Sequence, residues 1–451
     1  MRLTQLLLAL PVAAAVLAQA SDASACGACL GPSETTVVTG HRMVLSVSPQ
    51  GTTLWDQFSY AGEPSSFAWV LPTKGIVEVG LSSDAVFQTL EGLTQVTVQS
   101  PPLNCPPPPS CGFQEGDANG GAGGAGTGGG APPVQVLAQE TVGPFETVQL
   151  ASDDPSALYN WLQSHGYLVP ADFAPVIDDY VAEGFNFLAL KLVPGQGVDS
   201  MRPVRVTTPG ADATLPLRMV AGGTGAITPI TLWVLGEGRY APTSFPTFQI
   251  DQADLVWDWD QQRSNYTELR QIGFQATNGF AWLEEAGEPL SLYSVEYPLM
   301  DLVNYNPLES GYGDPETGEG AMEELLADLE KLYGGIPDGS LWVSRMSSEL
   351  SRAALTDDLD LGASPDQSYV NRFLQADSST GAQPECPSFP PCDEWGGEGP
   401  DNGIDAPGSE DVWGGGTCAV SPGGGGSMAF GGLALSAALA LSRRRRVRSG
   451  R

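Results

Sequence analysis

The chain has 451 residues, of which 53 are Asp or Glu and 20 are Lys or Arg, so its formal net charge is −33. This length is enough for one large or two medium domains. The negative charge disfavours nucleic acids and anionic lipid headgroups as partners, and it favours solubility and weak attraction of divalent cations. We therefore predict no nucleic-acid partner and no resident cofactor, beyond a loosely bound divalent cation that this charge would attract.

The N-terminus has the pattern of an export signal. A basic residue precedes an apolar run from Leu6 to Leu17, which is typical of a signal peptide. Cleavage sites after Ala20 and after Ala25 compete, and we take residues 1–25 as the signal. Cleavage after Ala25 would leave Cys26 first, but Ala23 stands where a lipoprotein signal usually carries Leu. N-terminal lipidation is therefore disfavoured, and the export machinery is an expected partner.

The first third of the mature chain is predicted to be mainly β-structure. Alternating apolar residues separated by Gly- and Pro-bearing turns predict a meander of strands at 35–48, 52–60 and 66–71. A helix capped by the run Ser82-Ser83-Asp84 and a strand at 95–99 follow. Residues 116–131 contain Gly, Ala, Asn and Thr without an apolar anchor, which predicts a flexible insertion.

The rest of the domain is predicted to mix strands with occasional helices. Strand patterns occupy 134–150, 185–193, 203–208, 215–220 and 227–235, and helix patterns occupy 154–166, 172–184, 266–274, 322–332 and 341–355. No fixed-period repeat is present. These elements indicate an α+β domain over residues 26–392 with mixed or antiparallel sheets.

Seven cysteines fit an exported, oxidising setting. With Cys418 set aside, six remain as three close pairs, Cys26/Cys29, Cys105/Cys111 and Cys386/Cys392. Five Pro-rich residues separate the members of the second and third pairs, which favours local disulfides, while cross-pairing between distant cysteines stays open. The Cys-Gly-Ala-Cys motif at 26–29 also fits a redox centre or half a zinc site. We favour a disulfide there, because the motif begins the mature chain and only two histidines are available as further zinc ligands.

The C-terminus has the pattern of a sorting signal. Composition changes beyond Ala376, and residues 393–417 are rich in Gly, Pro and acids, which predicts a disordered stalk. Cys418 then precedes a spacer, an apolar run at 428–441 and an arginine cluster at 443–446. The run is shorter than the ~20 residues of a relaxed membrane span. The segment 418–451 resembles the MYXO-CTERM signal, which implies a processing enzyme that cuts near a modified Cys418; the competing interpretation is a retained transmembrane helix.

Several motifs together resemble one bacterial family. They are Gly40–Met43, Leu54–Gln57, and the stretches at 66–72, 166–167, 187–192, 215–218, 231–235 and 363–368. In this order they resemble an uncharacterised secreted family, DUF2330, from about Cys26 to Cys392. The resemblance implies export and surface attachment, and it implies no activity, ligand or catalytic residue.

The best local candidate for a ligand site is the run Trp257-Asp258-Trp259-Asp260. If the run is extended, both indoles lie on one face and both carboxylates on the other, an arrangement suited to calcium or to a glycan. The alternative, which we favour, is an amphipathic strand with tryptophan in the core and aspartate in water.

Other chemistry-bearing residues are few. His41 in a strand and His165 at the end of a helix are predicted to be structural. The acidic run at 357–360 lacks the glycine and glutamate of an EF-hand, so we interpret it as a solvated loop. Neither a Gly-x-Ser-x-Gly nor a His-Glu-x-x-His motif is present.

The sequence therefore predicts a protein exported to the cell surface and anchored through its C-terminal tail, which is its one expected contact with the membrane. We expect a non-enzymatic component that binds a surface partner, an envelope polymer or a divalent cation. The alternative is an extracytoplasmic hydrolase that uses carboxylates near Asp258 and Asp260.

Overall fold

An eight-stranded sheet forms the centre of the computed structural model, which describes residues 37–61, 68–105, 139–167, 169, 171–193, 201–221, 226–337 and 339–386. Elements are numbered in chain order. In spatial order the strands are β13 (Thr247–Phe248), β16 (Trp282–Pro289), β17 (Leu341–Ser351), β11 (Ile227–Glu237), β1 (Val37–Val47), β2 (Gly51–Ala61), β9 (Val204–Pro209) and β4 (Glu78–Leu81). Neighbouring strands are antiparallel, except that β1 pairs with β11 and β13 with β16 in parallel.

A second, antiparallel sheet packs on one face of the large sheet. Its strands in spatial order are β3 (Ala68–Thr73), β8 (Asn186–Leu192), β7 (Phe145–Leu150) and β6 (Gln139–Val142). Strand β3 is buried on both faces, because Trp69 and Leu71 join the core between the sheets while Ala68 and Val70 join a core on the outer side. Helices α2 (Pro155–Ser164) and α3 (Ala174–Ala182) supply that outer core.

Three helices cover the other face of the large sheet. They are α1 (Asp84–Thr94), α6 (Leu292–Tyr305) and α7 (Ala321–Tyr333), and they share a core with Trp55 and Trp233 of the sheet. Ser83, the middle residue of the predicted capping run, caps α1 by accepting a hydrogen bond from the Ala85 N–H at 3.0 Å. The described domain is thus four layers deep, in the order helices, sheet, sheet, helices.

Short elements complete the domain. They are β10 (Thr214–Leu215), β18 (Leu359–Ala363) and β12 (Tyr240–Pro242) in one sheet, β15 (Arg263–Ser264), β14 (Val256–Asp258) and β20 (Ser378–Thr380) in another, the pair β19 (Phe373–Gln375) with β5 (Thr97–Gln99), and helices α4 (Leu217–Val220) and α5 (Tyr266–Ala276). Within the described part of the chain, no helix combines the length and apolarity needed to cross a bilayer.

The α+β class with mixed and antiparallel sheets is confirmed, but three predictions of local structure are wrong. Residues 341–351 form strand β17 rather than a helix, because the strand is buried on both faces and serines and an arginine mask its alternation. Residues 217–220 form helix α4 after Pro216 instead of continuing a strand. The predicted meander ends after β2, because β3 belongs to the second sheet.

The disulfide pairing also differs from the expected local one. Cys105 is bonded to Cys386, 281 residues away, with their Cα atoms 5.4 Å apart. The parallel pairing of β5 with β19 aligns Gln99 with Gln375 and so brings the two following segments together. The predicted local pairs of Cys105 with Cys111 and of Cys386 with Cys392 are therefore wrong, and the open alternative of cross-pairing is the one observed.

Several predictions lie outside the described residues. These are the signal peptide with Ala25, the insertion at 116–131, the stalk at 393–417, the sorting tail, and the cysteines Cys26, Cys29, Cys111, Cys392 and Cys418. The change in composition beyond Ala376 does not mark the end of regular structure, since β20 still pairs with β14.

Candidate functional site

The predicted ligand-site candidates at 257–260 lie in the small β14 sheet. Trp257 is 3 % exposed, and its ring packs edge-on against Trp259 with centroids 6.1 Å apart. The Asp258 carboxylate accepts the Asp260 and Gln261 N–H groups at 2.9 and 3.0 Å. The Asp260 carboxylate accepts the Ala382 N–H at 3.2 Å. The tryptophans therefore serve a small core, while Asp258 holds its own turn and Asp260 holds the distant main chain after β20.

The acidic run at 357–360 is more than the solvated loop that we predicted. Asp358 accepts hydrogen bonds from the Tyr180 hydroxyl at 2.6 Å and from Arg218 at 2.7 Å. Burial, with Asp358 as the next cause, raises the pKa of Tyr180. The Asp358 carboxylate thus joins α3 and α4 to the start of β18. The acidic run is not a solvated loop, because these two helices pack against it.

Both histidines have structural surroundings. His41 is buried, and its Nδ1 lies 2.9 Å from Oδ1 of the equally buried Asp56, while its Nε2 has no hydrogen-bonding partner among the residues that the structure describes. His165 ends α2 as predicted and stacks on Trp161 with centroids 3.9 Å apart. Among the described residues, no group of three or more His, Cys, Asp or Glu side chains is placed to hold a metal ion.

A cleft of about 1240 Å³ lies among the described residues. Four sequence-distant segments line it, namely 81–88, 141–144, 201–203 and 302–324. Neither histidine lies in its wall. Clefts of this kind are the default binding sites of proteins whose ligands are unknown.

One wall of the cleft is the loop between α6 and α7. Gly311 has φ +70° and Gly313 has φ +71°, a left-handed backbone that side chains disfavour. A Cβ atom on Gly313 would also lie 2.5 Å from the Glu319 carbonyl oxygen. The Asp314 carboxylate accepts the Glu316 and Thr317 N–H groups and so closes the next turn. The glycines and this turn fix the course of the wall.

Arg202 ties this loop to the rest of the cleft. It donates to the Ser82 carbonyl at 3.1 Å, to the Gly313 carbonyl at 3.2 Å and to the Glu324 carboxylate at 2.5 Å. Glu324 also accepts the Gly313 N–H at 2.8 Å. The positive charge of Arg202 is therefore balanced within the wall rather than offered to a ligand.

Beneath this wall lies a buried carboxylate, Asp328. It accepts hydrogen bonds from Arg205 at 2.6 Å, Trp55 at 3.1 Å and Tyr312 at 2.9 Å, and from the Ser82 hydroxyl. Burial raises the pKa of Asp328, against the lowering effect of Arg205, and burial likewise raises the pKa of Tyr312. Since every donor reaches the carboxylate directly, this network supports the cleft and does not face a ligand.

The surface of the cleft is acidic. Five carboxylates line it, those of Asp84, Glu309, Asp314, Glu319 and Glu324, and Arg202 is its one arginine or lysine among the described residues. Glu309 and Glu319 are exposed, and within the described part of the chain neither has a side-chain hydrogen bond or ion pair. Two carboxylates are thus free to meet a ligand.

Sequence reasoning did not find this cleft. The one local signal was the run from Gly311 to Gly320, with four glycines and three acids just before the predicted helix at 322–332. That composition predicts a turn-rich acidic loop. The composition of this loop does not show that Met201–Pro203 and Thr141–Pro144 lie opposite it. Strand pairing brings those two segments to the cleft, and a local pattern does not reveal strand pairing.

Comparison with known families identifies residues 20–288, more than half of the chain, as a match to DUF2330, described as an uncharacterized protein conserved in bacteria. The matched region includes β1 to β15 and part of the cleft, and it ends in β16. The resemblance drawn from sequence motifs is confirmed for this region. No curated protein and no solved structure matches the chain.

Proposed function

Because the chain belongs to DUF2330, a bacterial family without a described activity, we propose from its own site that it is an exported, surface-anchored protein that binds a positively charged partner in the acidic cleft. The observation that carries the proposal is the lining of the cleft, with five carboxylates around an arginine that Glu324 neutralises. Complementary charge would attract a cationic ligand and speed its association.

Export and anchoring are supported by the two ends of the sequence. The apolar N-terminal run has the form of a signal peptide, and Cys418 with its spacer, apolar run and arginines has the form of a sorting tail. The long-range disulfide agrees with folding in an oxidising compartment. Mass spectrometry of protein recovered from the cell envelope tests this part. We expect peptides that start at or before Cys26 and end near Cys418, and recovery of Phe430–Arg451 would contradict tail removal.

A binding experiment tests the cleft. The purified full-length protein is titrated with oligolysine and with oligoglutamate, and we expect binding of the cationic peptide that weakens as salt is added. In the variant Glu309→Gln/Glu319→Gln we expect roughly tenfold weaker binding. The matched control is Asp178→Asn/Asp179→Asn, which removes two exposed acids from α3, away from the cleft.

The proposal fails if oligolysine does not bind, or if the control weakens binding as much as the cleft variant does. Failure of oligolysine to bind would exclude a cationic ligand. Equal weakening by the control would show that overall charge attracts the peptide without a defined site.

The competing function is a hydrolase that uses Asp258 and Asp260. Both carboxylates already accept main-chain N–H groups, and Asp258 also accepts the Gln261 side-chain amide at 2.9 Å. These contacts explain their positions without a substrate. Turnover of an envelope glycan that is lost in a folded Asp258→Asn/Asp260→Asn variant would favour the hydrolase over the binding protein.

A further inference from the structure

The chemistry of the cleft narrows the class of its ligand. Four of its five carboxylates follow one another along residues 309–324 and the fifth is Asp84 of α1, and no three of them are placed to hold one metal ion among the described residues. A divalent cation needs a first coordination sphere of several oxygen atoms at about 2.0–2.6 Å. A ligand that carries several separated positive charges fits this distribution better than a metal ion does.

Apolar side chains line the cleft together with the carboxylates. They are Leu302 of α6, Leu308, Val142 and Pro144, and Leu308 is 57 % exposed. A ligand with aliphatic groups would cover the leucines and remove their apolar surface from water.

A strand edge also borders the cleft. Thr141 and Val142 belong to β6, the outermost strand of the four-stranded sheet, and β7 is its only partner among the described residues. An edge strand presents main-chain N–H and C=O groups along its open side. Extended peptides bind such edges by adding a strand, with main-chain hydrogen bonds for affinity and alternate side chains for specificity.

From these three observations we infer that the ligand is an extended polypeptide segment in which lysine or arginine alternates with aliphatic residues, and that it pairs with the edge of β6. Glu309 and Glu319 bind its cations, and Leu302 and Leu308 cover its aliphatic side chains. The volume of about 1240 Å³ suits such a segment, since small-molecule sites have roughly 300–1,000 Å³. This inference rests on the proposed function of the cleft.

The test compares ligands of similar charge. The full-length protein is titrated with a short peptide of alternating lysine and leucine, with the same peptide N-methylated along one edge of its backbone, and with spermine. We expect the unmodified peptide to bind at least roughly tenfold more tightly than either alternative. N-methylation removes main-chain donors and leaves the charges, so its effect isolates strand pairing.

A protein variant separates the contributions of the wall. Leu308→Ser should weaken binding of the lysine–leucine peptide several-fold and leave spermine binding unchanged, whereas Glu309→Gln/Glu319→Gln should weaken both. The exposed Ile272→Ser on α5 is the control for loss of an apolar surface residue outside the cleft.

The outcomes distinguish this inference from the proposal beneath it. If spermine or the N-methylated peptide binds as tightly as the unmodified peptide, the polypeptide inference is overturned and a cationic ligand still stands. If calcium chloride competes with the peptide at equal concentration, a metal ion replaces the peptide as the ligand class. If none of the cations binds, the inference and the proposed function both fall.

Discussion

The two faces of the eight-stranded sheet are both buried, yet they hold their neighbours by different chemistry. The face toward the four-stranded sheet packs mainly through aliphatic and aromatic side chains such as Leu45, Leu232 and Met346. The face toward α1, α6 and α7 also has an apolar core, but buried ion pairs interrupt it. Arg205 contacts Asp328 of α7 at 2.6 Å, and Arg345 contacts Glu91 of α1 and Glu285 of β16 at 2.8 Å each.

This difference shows where the fold depends on specific partners. An apolar contact between two sheets accepts many arrangements of similar volume. A buried ion pair requires one geometry, because either charge without its partner would be desolvated at a cost of several kcal/mol, on the order of 3–5. The helical layer, which also lines part of the cleft, is therefore positioned more exactly than the four-stranded sheet.

The largest expected effect comes from breaking an ion pair on the helical face. Glu285 accepts Arg345 at 2.8 Å and the Ser347 hydroxyl at 2.9 Å, and it is 3 % exposed. We expect Glu285→Ala to lower the free energy of unfolding by about 3–5 kcal/mol, measured by urea denaturation. Glu268→Ala, which removes a half-exposed partner of Arg263, should cost no more than about 1 kcal/mol. Equal losses of stability in the two variants would contradict the view that the helical face depends on its buried ion pairs.

The next effect concerns the buried hydrogen-bonded pair that His41 and Asp56 form on the opposite face. We expect His41→Leu to lower the free energy of unfolding by about 2–3 kcal/mol, because it leaves the Asp56 carboxylate buried without its donor. The double variant His41→Leu/Asp56→Leu should recover most of this loss, because the surrounding core is apolar. A double variant less stable than either single variant would show that this face also depends on its charges.

The pH dependence of stability gives a smaller effect. Burial raises the pKa of Asp328 in the folded protein, so the stability that this group contributes is present below its unfolded pKa and is lost as the pH rises through its folded pKa. In the wild-type protein this contribution makes the free energy of unfolding fall as the pH rises. We expect this fall to be smaller in Asp328→Asn, measured by urea denaturation at a series of pH values. Asp301→Asn, an exposed change on α6, should keep the wild-type slope.

The smallest effect is at the start of the helical layer. Ser83 caps α1, and Ser291 stands at the same position of α6 without a side-chain cap. We expect Ser83→Ala to lower the free energy of unfolding by about 1–2 kcal/mol and Ser291→Ala to change it by less than about 0.5 kcal/mol. Thermal or urea denaturation of both variants checks this, and a larger loss at Ser291 would refute the assignment of the cap.

Much of the local structure could be predicted from the sequence. Alternation identified β1, β2 and β8, because each has one polar face or turn residues at its ends, and caps identified α1 and α2. Strand β17 was missed because it carries Arg345, Ser347 and Ser348 at buried positions, so its polar residues do not mark a solvent face. Helix α6 was not predicted at all, and Pro298 lies within it.

The site was harder to predict than the fold. Arg205 and Asp328 are 123 residues apart, and Arg345 and Glu285 are 60 apart, so no local pattern relates them. The cleft likewise depends on β6 facing the loop after α6, which the arrangement of layers decides. The motif at 257–260 drew attention because its chemistry is local, and the structure uses it for a small core and a turn.

The bond between Cys105 and Cys386 has a mechanical consequence. Cys386 follows β19 and β20 in the chain, so a pull applied from the C-terminal side of this residue reaches the disulfide before it reaches those strands. Strands β19 and β20 have only three residues each, and such short strands peel easily under load. The covalent link passes such a pull to Cys105, which follows β5, so the strands between 373 and 380 are spared from unzipping.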